Sequence, residues 1–286
     1  MGNTPKGISL HIGLNAVDPG HYAGWSGPLN ACEADAEDMD SLAERQGCQD
    51  RTLLKTSQAT RNAVQDGIDR AAKELVAGDL FLVTYSGHGG QLPDLNGDEP
   101  DLKDETWCLF DGELVDDELR ALWTKFKPGV RILVLSDSCH SGTVVKAAFD
   151  ALATNHAGAR ALAGAMGVDA PRYRFMPDDV ALRTYRANQV AYDKIGKSLP
   201  AEQEPIQATV RLISGCQDNQ LSLDGTFNGL FTSMLLRTWS DGRFKGKTYS
   251  DLHREIVKLM PPTQTPNHEV IGAPNAAYDM QRPFSV

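Results

Sequence analysis

The stretch Val130-Arg-Ile-Leu-Val-Leu-Ser-Asp-Ser-Cys139 decides the fold, because an apolar run leads almost directly into a cysteine. Short apolar runs bounded by turn residues are typical of strands that are buried on both faces of a sheet. A second run of this kind, Leu80 to Ser86, is followed by Gly-His88-Gly-Gly. One strand therefore ends in an imidazole and the other in a thiol.

His88 and Cys139 are predicted to meet at one edge of the sheet. Adjacent parallel strands end at the same edge, which is where α/β proteins place their chemistry. An imidazole at that position can take the proton of a thiol and return it to a leaving amine. The backbone amides of Gly89 and Cys139 are placed to stabilise the oxyanion of such a reaction. The pattern predicts a cysteine nucleophile activated by a histidine.

The same residues allow two other interpretations. Cys139 could be a buried structural cysteine and His88 a loop histidine, and either residue taken alone would favour that interpretation. A zinc site built from His88, Cys139 and His140 is the other alternative. Adjacent Cys and His residues on one turn rarely bind a single ion, and no C-x-x-C or H-x-x-x-H spacing supports it. The catalytic pair accounts best for both strand ends together.

Composition limits the classes of function. The chain has 286 residues and a formal charge of −10, from 28 basic and 38 acidic residues. Without a basic cluster, nucleic-acid binding is not expected. No apolar stretch approaches the roughly 18–20 residues of a membrane span, so no membrane association is expected. Five cysteines, an odd number, predict free thiols and a reducing, cytoplasmic location.

Strand-like and helix-like segments alternate along the chain. Predicted strands cover Gly7 to Asn15, Arg51 to Lys55, Leu80 to Ser86, Val130 to Leu135, Thr209 to Ser214 and Glu269 to Ile271. Predicted helices cover Asn30 to Arg45, Thr60 to Val76, Asp116 to Phe126, Leu230 to Trp239 and Tyr249 to Met260, and Thr106 to Val115 contains a predicted hairpin. This alternation predicts an α/β fold with a mostly parallel central sheet of about six strands and helices on both faces.

The segment 147–207 interrupts the alternation. It is rich in alanine at first and then polar with scattered basic residues, which predicts an irregular linker or insertion. We therefore expect one domain over residues 1–286. Residues 7–146 would form its His/Cys half, and residues 208–286 would complete the sheet.

Two motifs resemble those of a known family. Tyr85-Ser-Gly-His-Gly-Gly90 and Asp137-Ser-Cys-His-Ser-Gly142 resemble the signature motifs of the metacaspases, in a compact bacterial-type form. The order His before Cys is that of caspases, whereas papain-like enzymes carry Cys first. Weaker similarities follow in the family's order, at Ala31–Asp35, Asp98–Glu105, Val115–Glu118 and Ser214–Gln220. The resemblance implies a caspase-like fold and cysteine peptidase activity.

The resemblance also implies cleavage after Arg or Lys. The residues that match the family's specificity pocket are Cys32, Asp35, Ser86 and Asp137. Two carboxylates in a partly buried pocket hold a guanidinium through charge-assisted hydrogen bonds. Taken without the resemblance, Asp35 would be a solvated helix acid and Asp137 a turn residue. Asp218, in a loop after a late strand, is expected to help shape the cleft, and a turn role fits it equally well.

Calcium is the cation implied for many members of the family. Asp104, Asp116 and Asp117 match its ligand positions, but the fourth position is Lys146, where calcium-binding relatives have an aspartate. A lysine ammonium repels the ion and removes one oxygen from a cation that takes six to eight. We therefore predict weak calcium binding or none, and no required cofactor.

Self-cleavage in the segment 147–207 is a further expectation, after Arg160, Arg172 or Arg186, because the implied pocket accepts such residues. Expected partners are protein or peptide substrates with a basic residue at the cleavage site, and the expected state is a monomer. Two other classes remain open. One is a non-catalytic caspase-like module that binds peptides or scaffolds an assembly. The other is a cysteine-dependent acyl transferase or peptide ligase.

Overall fold

The computed structural model describes residues 4–95, 102–138, 172–199, 204–216, 223–224, 228–262 and 264–286, with backbone only at 172, 173 and 223. The strands are β1 Gly7–Gly13, β2 Asp50–Lys55, β3 Leu80–Ser86, β4 Gly89–Pro93, β5 Lys103–Leu109, β6 Gly112–Val115, β7 Arg131–Asp137, β8 Arg172–Tyr173, β9 Thr209–Ser214, β10 Leu223–Asp224 and β11 Asn267–Gly272. The helices are α1 Cys32–Arg45, α2 Arg61–Glu74, α3 Asp116–Thr124, α4 Asp178–Ser198, α5 Leu230–Trp239, α6 Tyr249–Leu259 and α7 Ala276–Asp279.

The central sheet has six strands in the order β11-β9-β7-β3-β1-β2. All neighbouring pairs are parallel except β11 with β9. In the pairing of β3 with β7, Ser86 lies opposite Asp137. The residues that follow these two strands therefore start from the same edge of the sheet, as the sequence predicted.

Helices cover both faces of this sheet, which confirms the predicted fold class. On one face, side chains such as Ile132 pack with residues of α2 and α3. On the other face, side chains such as Leu133 pack with residues of α1, α5 and α6. The strands read as continuous apolar runs because both alternating sets of side chains are buried. Burial of one Leu or Ile side chain stabilises the folded state by about 1.5–3 kcal/mol.

A second sheet lies beside the first and contains β4, β5 and β6 in that order. The β5–β6 hairpin was predicted, but β4 was not. It begins at Gly89, immediately after His88, and Gly89 lies opposite Trp107 of β5. Glycines have low strand propensity, so only the pairing with β5 makes this segment a strand.

The described part of the segment 147–207 is not irregular. β8 pairs with β10 in an antiparallel ladder, and α4 is a helix of 21 residues. Val180, Thr184 and Tyr192 form its buried side. The helix bends at Asn188, whose side-chain amide donates hydrogen bonds to the backbone carbonyls of Thr184 and His21. Tertiary contacts of this kind, which a propensity argument does not include, stabilise the helix.

Two further observations bear on the sequence predictions. Among the helices of the described residues, none is both long and apolar enough to cross a membrane. The four cysteines in the described ranges are buried, at positions 32, 48, 108 and 216.

Candidate active site

His88 lies between the end of β3 and the start of β4 and is 4% exposed. Its Nε2 is 2.9 Å from the carbonyl oxygen of Gly27, so Nε2 carries the proton and donates this hydrogen bond. Within the described part of the chain, Nδ1 has no hydrogen-bond partner. A neutral imidazole in this tautomer has its lone pair on Nδ1, which can therefore act as a base.

Gly27 makes this contact possible. Its φ is +50°, a conformation that favours glycine, and a Cβ there would lie 2.8 Å from Nε2 of His88. The ring of Trp25 packs against the imidazole, with 4.7 Å between the centroids. The orientation of His88 is thus determined by a residue and a ring that are distant from it in sequence.

Burial lowers the pKa of His88 to about 4, and the hydrogen bond to the Gly27 carbonyl opposes this shift. The positive charge of Arg174 lowers the pKa further, and a backbone group of Phe175 raises it. The imidazole is therefore neutral at neutral pH, which is the form that accepts a proton.

Several predicted residues lie outside the described residues: Cys139, Asp218, Lys146 and Arg160. Cys139 follows Ser138 directly in the chain, and Ser138 is buried at the end of β7. The thiol of Cys216 donates a hydrogen bond to the backbone carbonyl of Ser138 (3.2 Å). Cys216 comes just after β9, the strand next to β7. The hydrogen bond therefore links the residues that follow these two neighbouring strands.

The structure brings together the residues that were predicted to form an acidic pocket. Asp35 on α1 and Asp137 at the end of β7 are 1% and 2% exposed, so neither is a solvated surface acid. The hydroxyl of Ser86 donates a hydrogen bond to Asp35 (2.7 Å). Backbone and side-chain donors from the start of α5 bind both carboxylates: Gly229 N–H and the Asn228 amide to Asp35, and Thr232 N–H and O–H to Asp137.

Asp224 supplies a third carboxylate that the sequence analysis did not identify. It lies on β10 and accepts hydrogen bonds from the backbone amides of Asn30 and Ala31, just before α1. No local motif marks Asp224 in the sequence, because its role depends on the pairing of β10 with β8. We use the term acidic pocket for Asp35, Asp137 and Asp224 together with Ser86.

The side chain of Arg174 fills the acidic pocket and is 0% exposed. Its Nη2 lies 2.8 Å from Asp35 and 3.1 Å from Asp224, and its Nη1 lies 3.1 Å from Asp137. Nη1 also donates to the hydroxyl of Ser86 (2.7 Å). The two terminal nitrogens therefore bind different partners, an arrangement that suits a planar guanidinium.

Burial acts to lower the pKa of Arg174, but the charges of Asp137, Asp35 and Asp224 outweigh it, and the pKa is raised well above its usual value. Burial also raises the pKa of Asp35, against the charge of Arg174. Cys32, beside the pocket, has its pKa raised by burial to about 12. Its thiol stays protonated, so Cys32 is not a reactive thiolate.

The pocket fits closely around the guanidinium. A Cβ at position 229 would lie 2.5 Å from Nη2 of Arg174 and 2.5 Å from Oδ2 of Asp137. Only glycine leaves enough room there for a carboxylate and a guanidinium to approach each other. A methyl group would push one of the two charged groups out of contact.

The backbone around Arg174 is extended along the edge of β4. The Gly89 N–H donates to the carbonyl of Arg174 (3.0 Å), and the Met176 N–H donates to the carbonyl of Gly89 (2.8 Å). We call Arg174-Phe175-Met176 the inserted tripeptide. It binds as an added strand does, through main-chain hydrogen bonds with a side chain anchored in a pocket.

Two of the three residues expected to bind calcium, Asp116 and Asp117, line a cavity of about 410 Å³. Burial raises the pKa of Asp116 to about 8, and the charges of Glu105, Asp117 and Asp104 add to this shift. The carboxylates thus repel one another. Even so, the described residues contain no group of three or more His, Cys, Asp or Glu side chains arranged to hold a metal ion.

The fold is that of the caspases. It superposes on caspase-1 from Spodoptera frugiperda with a TM-score of 0.51 and 10% identity, covering 95% of this chain and 88% of the other. It also superposes on protein GSU0716 from Geobacter sulfurreducens with a TM-score of 0.86 and 55% identity, covering 99% of each chain.

Residues 15–278 match the model of the caspase domain family, and the chain belongs to this family. Metacaspase-1 from Botryotinia fuckeliana is 32% identical over 245 residues, covering 78% of this chain and 57% of that relative. Metacaspase-1 from Sclerotinia sclerotiorum is 31% identical over 245 residues, covering 78% and 55%. The chain spans little more than half the length of these relatives. Membership supports cysteine peptidase activity in general.

Proposed function

We propose that this protein is a cysteine endopeptidase that hydrolyses peptide bonds after arginine or lysine. Cys139 is the nucleophile and His88 the base that activates it. The observation that carries the proposal is the buried guanidinium of Arg174 in the acidic pocket, in contact with three carboxylates. A pocket that holds one arginine in this way is suited to the arginine of a substrate.

The pocket chemistry favours arginine over lysine and excludes aspartate. The pocket contains three carboxylates and binds one guanidinium, so it keeps an excess of negative charge. This excess would repel an acidic side chain. Arginine reaches Asp35 and Asp224 with one nitrogen and Asp137 with the other. A lysine has a single ammonium and can satisfy fewer of these partners at once.

His88 and Gly89 supply the groups that the reaction needs beside the thiol. Nδ1 of His88 takes the proton of Cys139 and later gives it to the leaving amine. The Gly89 N–H already donates to a carbonyl oxygen, that of Arg174, and the Cys139 amide is the second expected donor to the oxyanion. The Gly27 carbonyl orients the imidazole, so a third catalytic side chain is not required. Water then hydrolyses the acyl-enzyme.

No cofactor takes part in this chemistry. Asp104, Asp116 and Asp117 match three calcium positions of the family, but Lys146 replaces the fourth expected acid in the sequence. Calcium binding is therefore proposed to be weak or absent. The proposed partners are protein or peptide substrates with a basic residue before the scissile bond, and the proposed state is a monomer.

Turnover of matched fluorogenic peptides that end in Arg, Lys or Asp tests the proposal. The wild type is expected to cleave after Arg faster than after Lys and not after Asp, and Cys139→Ala is expected to be inactive. Cleavage after Asp, or activity that survives in Cys139→Ala, would contradict it. Product analysis by mass separates hydrolysis from peptide ligation, because a ligase joins the acyl group to an added amine. Binding of Arg peptides without turnover would instead support a non-catalytic module.

A further inference from the structure

The residues that orient His88 belong to one loop. Residues 18–27, here named the His88 loop, contain both Gly27, whose carbonyl accepts the Nε2 hydrogen bond, and Trp25, whose ring packs on the imidazole. Neither residue is a neighbour of His88 in the sequence. The imidazole therefore keeps its orientation only while this loop keeps its position.

Backbone hydrogen bonds tie the His88 loop together. The N–H groups of His21 and Tyr22 both donate to the Asp18 carbonyl (3.1 Å each), and the Trp25 N–H donates to the Tyr22 carbonyl (3.0 Å). The ring of Tyr22 also lies edge-on to that of Trp25, with 6.1 Å between the centroids. Because the loop is connected in this way, a displacement of His21 reaches Trp25 and Gly27.

One side of the His88 loop is anchored to the second sheet. Tyr22 is fully buried, and its hydroxyl donates a hydrogen bond to the carbonyl of Leu109 at the end of β5 (2.7 Å). The Asp18 N–H donates to the carbonyl of Phe110 (2.9 Å). The other side of the loop, which carries His21, faces α4 instead.

Tyr192 of α4 holds this second side. Its hydroxyl accepts a hydrogen bond from the Glu113 N–H (3.1 Å), so its own hydrogen is available to Nε2 of His21, 2.7 Å away. Burial lowers the pKa of His21 below its usual value of 6.5, although the charge of Asp111 opposes the shift. The ring of His21 is therefore neutral at neutral pH and can accept this hydrogen. Tyr192 thus links α4, β6 and the His88 loop.

Two further contacts join the same helix to His21. The rings of His21 and Tyr192 meet edge to face, with 5.8 Å between the centroids. The side-chain amide of Asn188 donates to the His21 carbonyl (3.1 Å) at the point where α4 bends. α4, which follows the inserted tripeptide, therefore holds both the side chain and the backbone of His21.

We infer that Tyr192 is a positioning residue of the active site: through His21 and the His88 loop, its hydroxyl keeps the imidazole of His88 in the orientation that the reaction needs. The inference rests on the proposed function, because His88 is the base of that reaction. The hydroxyl touches the reacting groups only through other residues. A displaced base slows proton transfer more than it weakens substrate binding, so loss of the hydroxyl acts on kcat.

Tyr192→Phe removes the hydroxyl, keeps the ring and tests the inference. NMR of protein labelled with ¹⁵N in its histidine rings follows the proton on Nε2 of His88, and His88→Gln identifies its signal. We expect this proton to exchange with solvent about tenfold faster in Tyr192→Phe, because its hydrogen bond to the Gly27 carbonyl opens more often. We expect kcat for Arg peptides to fall about 5–20-fold, with KM changed by less than about twofold.

Tyr185→Phe is the matched control on the same helix. The hydroxyl of Tyr185 donates to Asp193 (2.7 Å) rather than to the His88 loop, so its loss should change neither the exchange rate nor kcat. The melting transition of each variant is measured, and exchange is recorded well below it. An unchanged exchange rate or an unchanged kcat in Tyr192→Phe overturns the inference. Equal losses in Tyr185→Phe also overturn it, since they would reflect α4 as a whole.

A double-mutant cycle tests the route through His21. His21→Leu removes the partner of the hydroxyl, so the variant that combines it with Tyr192→Phe should lose at most about twofold more in kcat than the weaker single variant. Fully additive losses would mean that Tyr192 acts by another route and would overturn the inference. If the wild type cleaves no Arg peptide, the proposed function fails. The exchange rate then decides by itself whether Tyr192 holds His88 in place.

Discussion

The guanidinium of Arg174 binds the carboxylate of Asp35 at 2.8 Å, although the two residues are 139 positions apart in the chain. Both side chains are excluded from water, at 0% and 1% exposure. Removing one partner from such a pair costs about 3–5 kcal/mol, because the other charge is left buried and unpaired. Carboxylates buried in this way require a cation beside them, and in this structure that cation is the guanidinium of Arg174.

The first prediction concerns Asp35→Asn, which removes one charge from the pocket and keeps its shape. We expect kcat/KM for Arg peptides to fall by about 30–1,000-fold, as for the loss of one partner of a desolvated pair. The loss should appear mainly as a higher KM. The control is Asp241→Asn, an acid that is 73% exposed. An unchanged kcat/KM in Asp35→Asn would show that substrates do not use this pocket.

Gly27→Ala tests how His88 is positioned. A Cβ there would lie 2.8 Å from Nε2 of His88 and 2.7 Å from the ring of Trp25. We expect kcat to fall by about 10–100-fold with little change in KM, because a displaced base slows the chemical step. Gly24→Ala is the matched control, since Gly24 also has positive φ (+89°) but open space around its Cβ position. Equal losses in both variants would point to backbone strain alone.

The pH dependence of kcat reports the ionisation of His88 in the occupied site. Its pKa is lowered to about 4, so the imidazole stays able to accept a proton well below the usual value of 6.5. We expect the acid limb of kcat for Arg peptides to lie below about pH 5. Measurement from pH 4 to pH 8 checks this. An acid limb near pH 6.5 would mean that substrate binding leaves the imidazole open to solvent.

Glu113 is a fully buried carboxyl between the second sheet and α4. Burial raises its pKa to about 7, and its hydrogen bond with the Thr106 hydroxyl opposes the shift. Because the folded pKa exceeds the unfolded value of 4.5, the contribution to stability is complete below pH 4.5 and is lost as pH rises through 7. Arg61 and Tyr192 also face this group.

Glu113→Gln should remove this pH dependence. The measured quantity is the free energy of unfolding of the variant minus that of the wild type. This difference should be larger at pH 8 than at pH 5, by up to about 3 kcal/mol in favour of the variant. Urea unfolding at the two pH values measures the change. Glu255→Gln, at a side chain that is 44% exposed, is the control. A wild-type stability that does not fall between pH 5 and pH 8 would contradict the raised pKa.

Calcium is expected to change peptide turnover by less than about twofold, because Lys146 occupies the position of a ligand. Activity in calcium is compared with activity in chelator. A large increase that chelator reverses would overturn this prediction. Lys146→Asp restores the acid of calcium-binding relatives, and we expect that variant to bind calcium measurably by calorimetry. Failure of both proteins to respond would mean that the other carboxylates are also unsuitable.

Much of the sheet could be predicted because each of its main strands is a short run of apolar residues in the sequence. The runs that became β3 and β7 are apolar throughout, as strands buried on both faces are. β4 could not be predicted in this way, since Gly89 and Gly90 form a strand only by pairing with β5. α4 was missed for a related reason: its polar sequence becomes helical against surfaces contributed by other parts of the chain.

The sequence by itself determined that His88 follows one apolar run and that Cys139 follows a later one. The resemblance of its motifs to those of a known family added the acids Asp35 and Asp137. Only the tertiary structure decided what fills the pocket that those acids form. Arg174 and Asp224 carry no local signal, because their roles depend on the pairing of β8 with β10 and on the approach of both to α1. Short-range patterns specify strands and turns, whereas the partner of a buried charge is set by contacts between residues far apart in the chain.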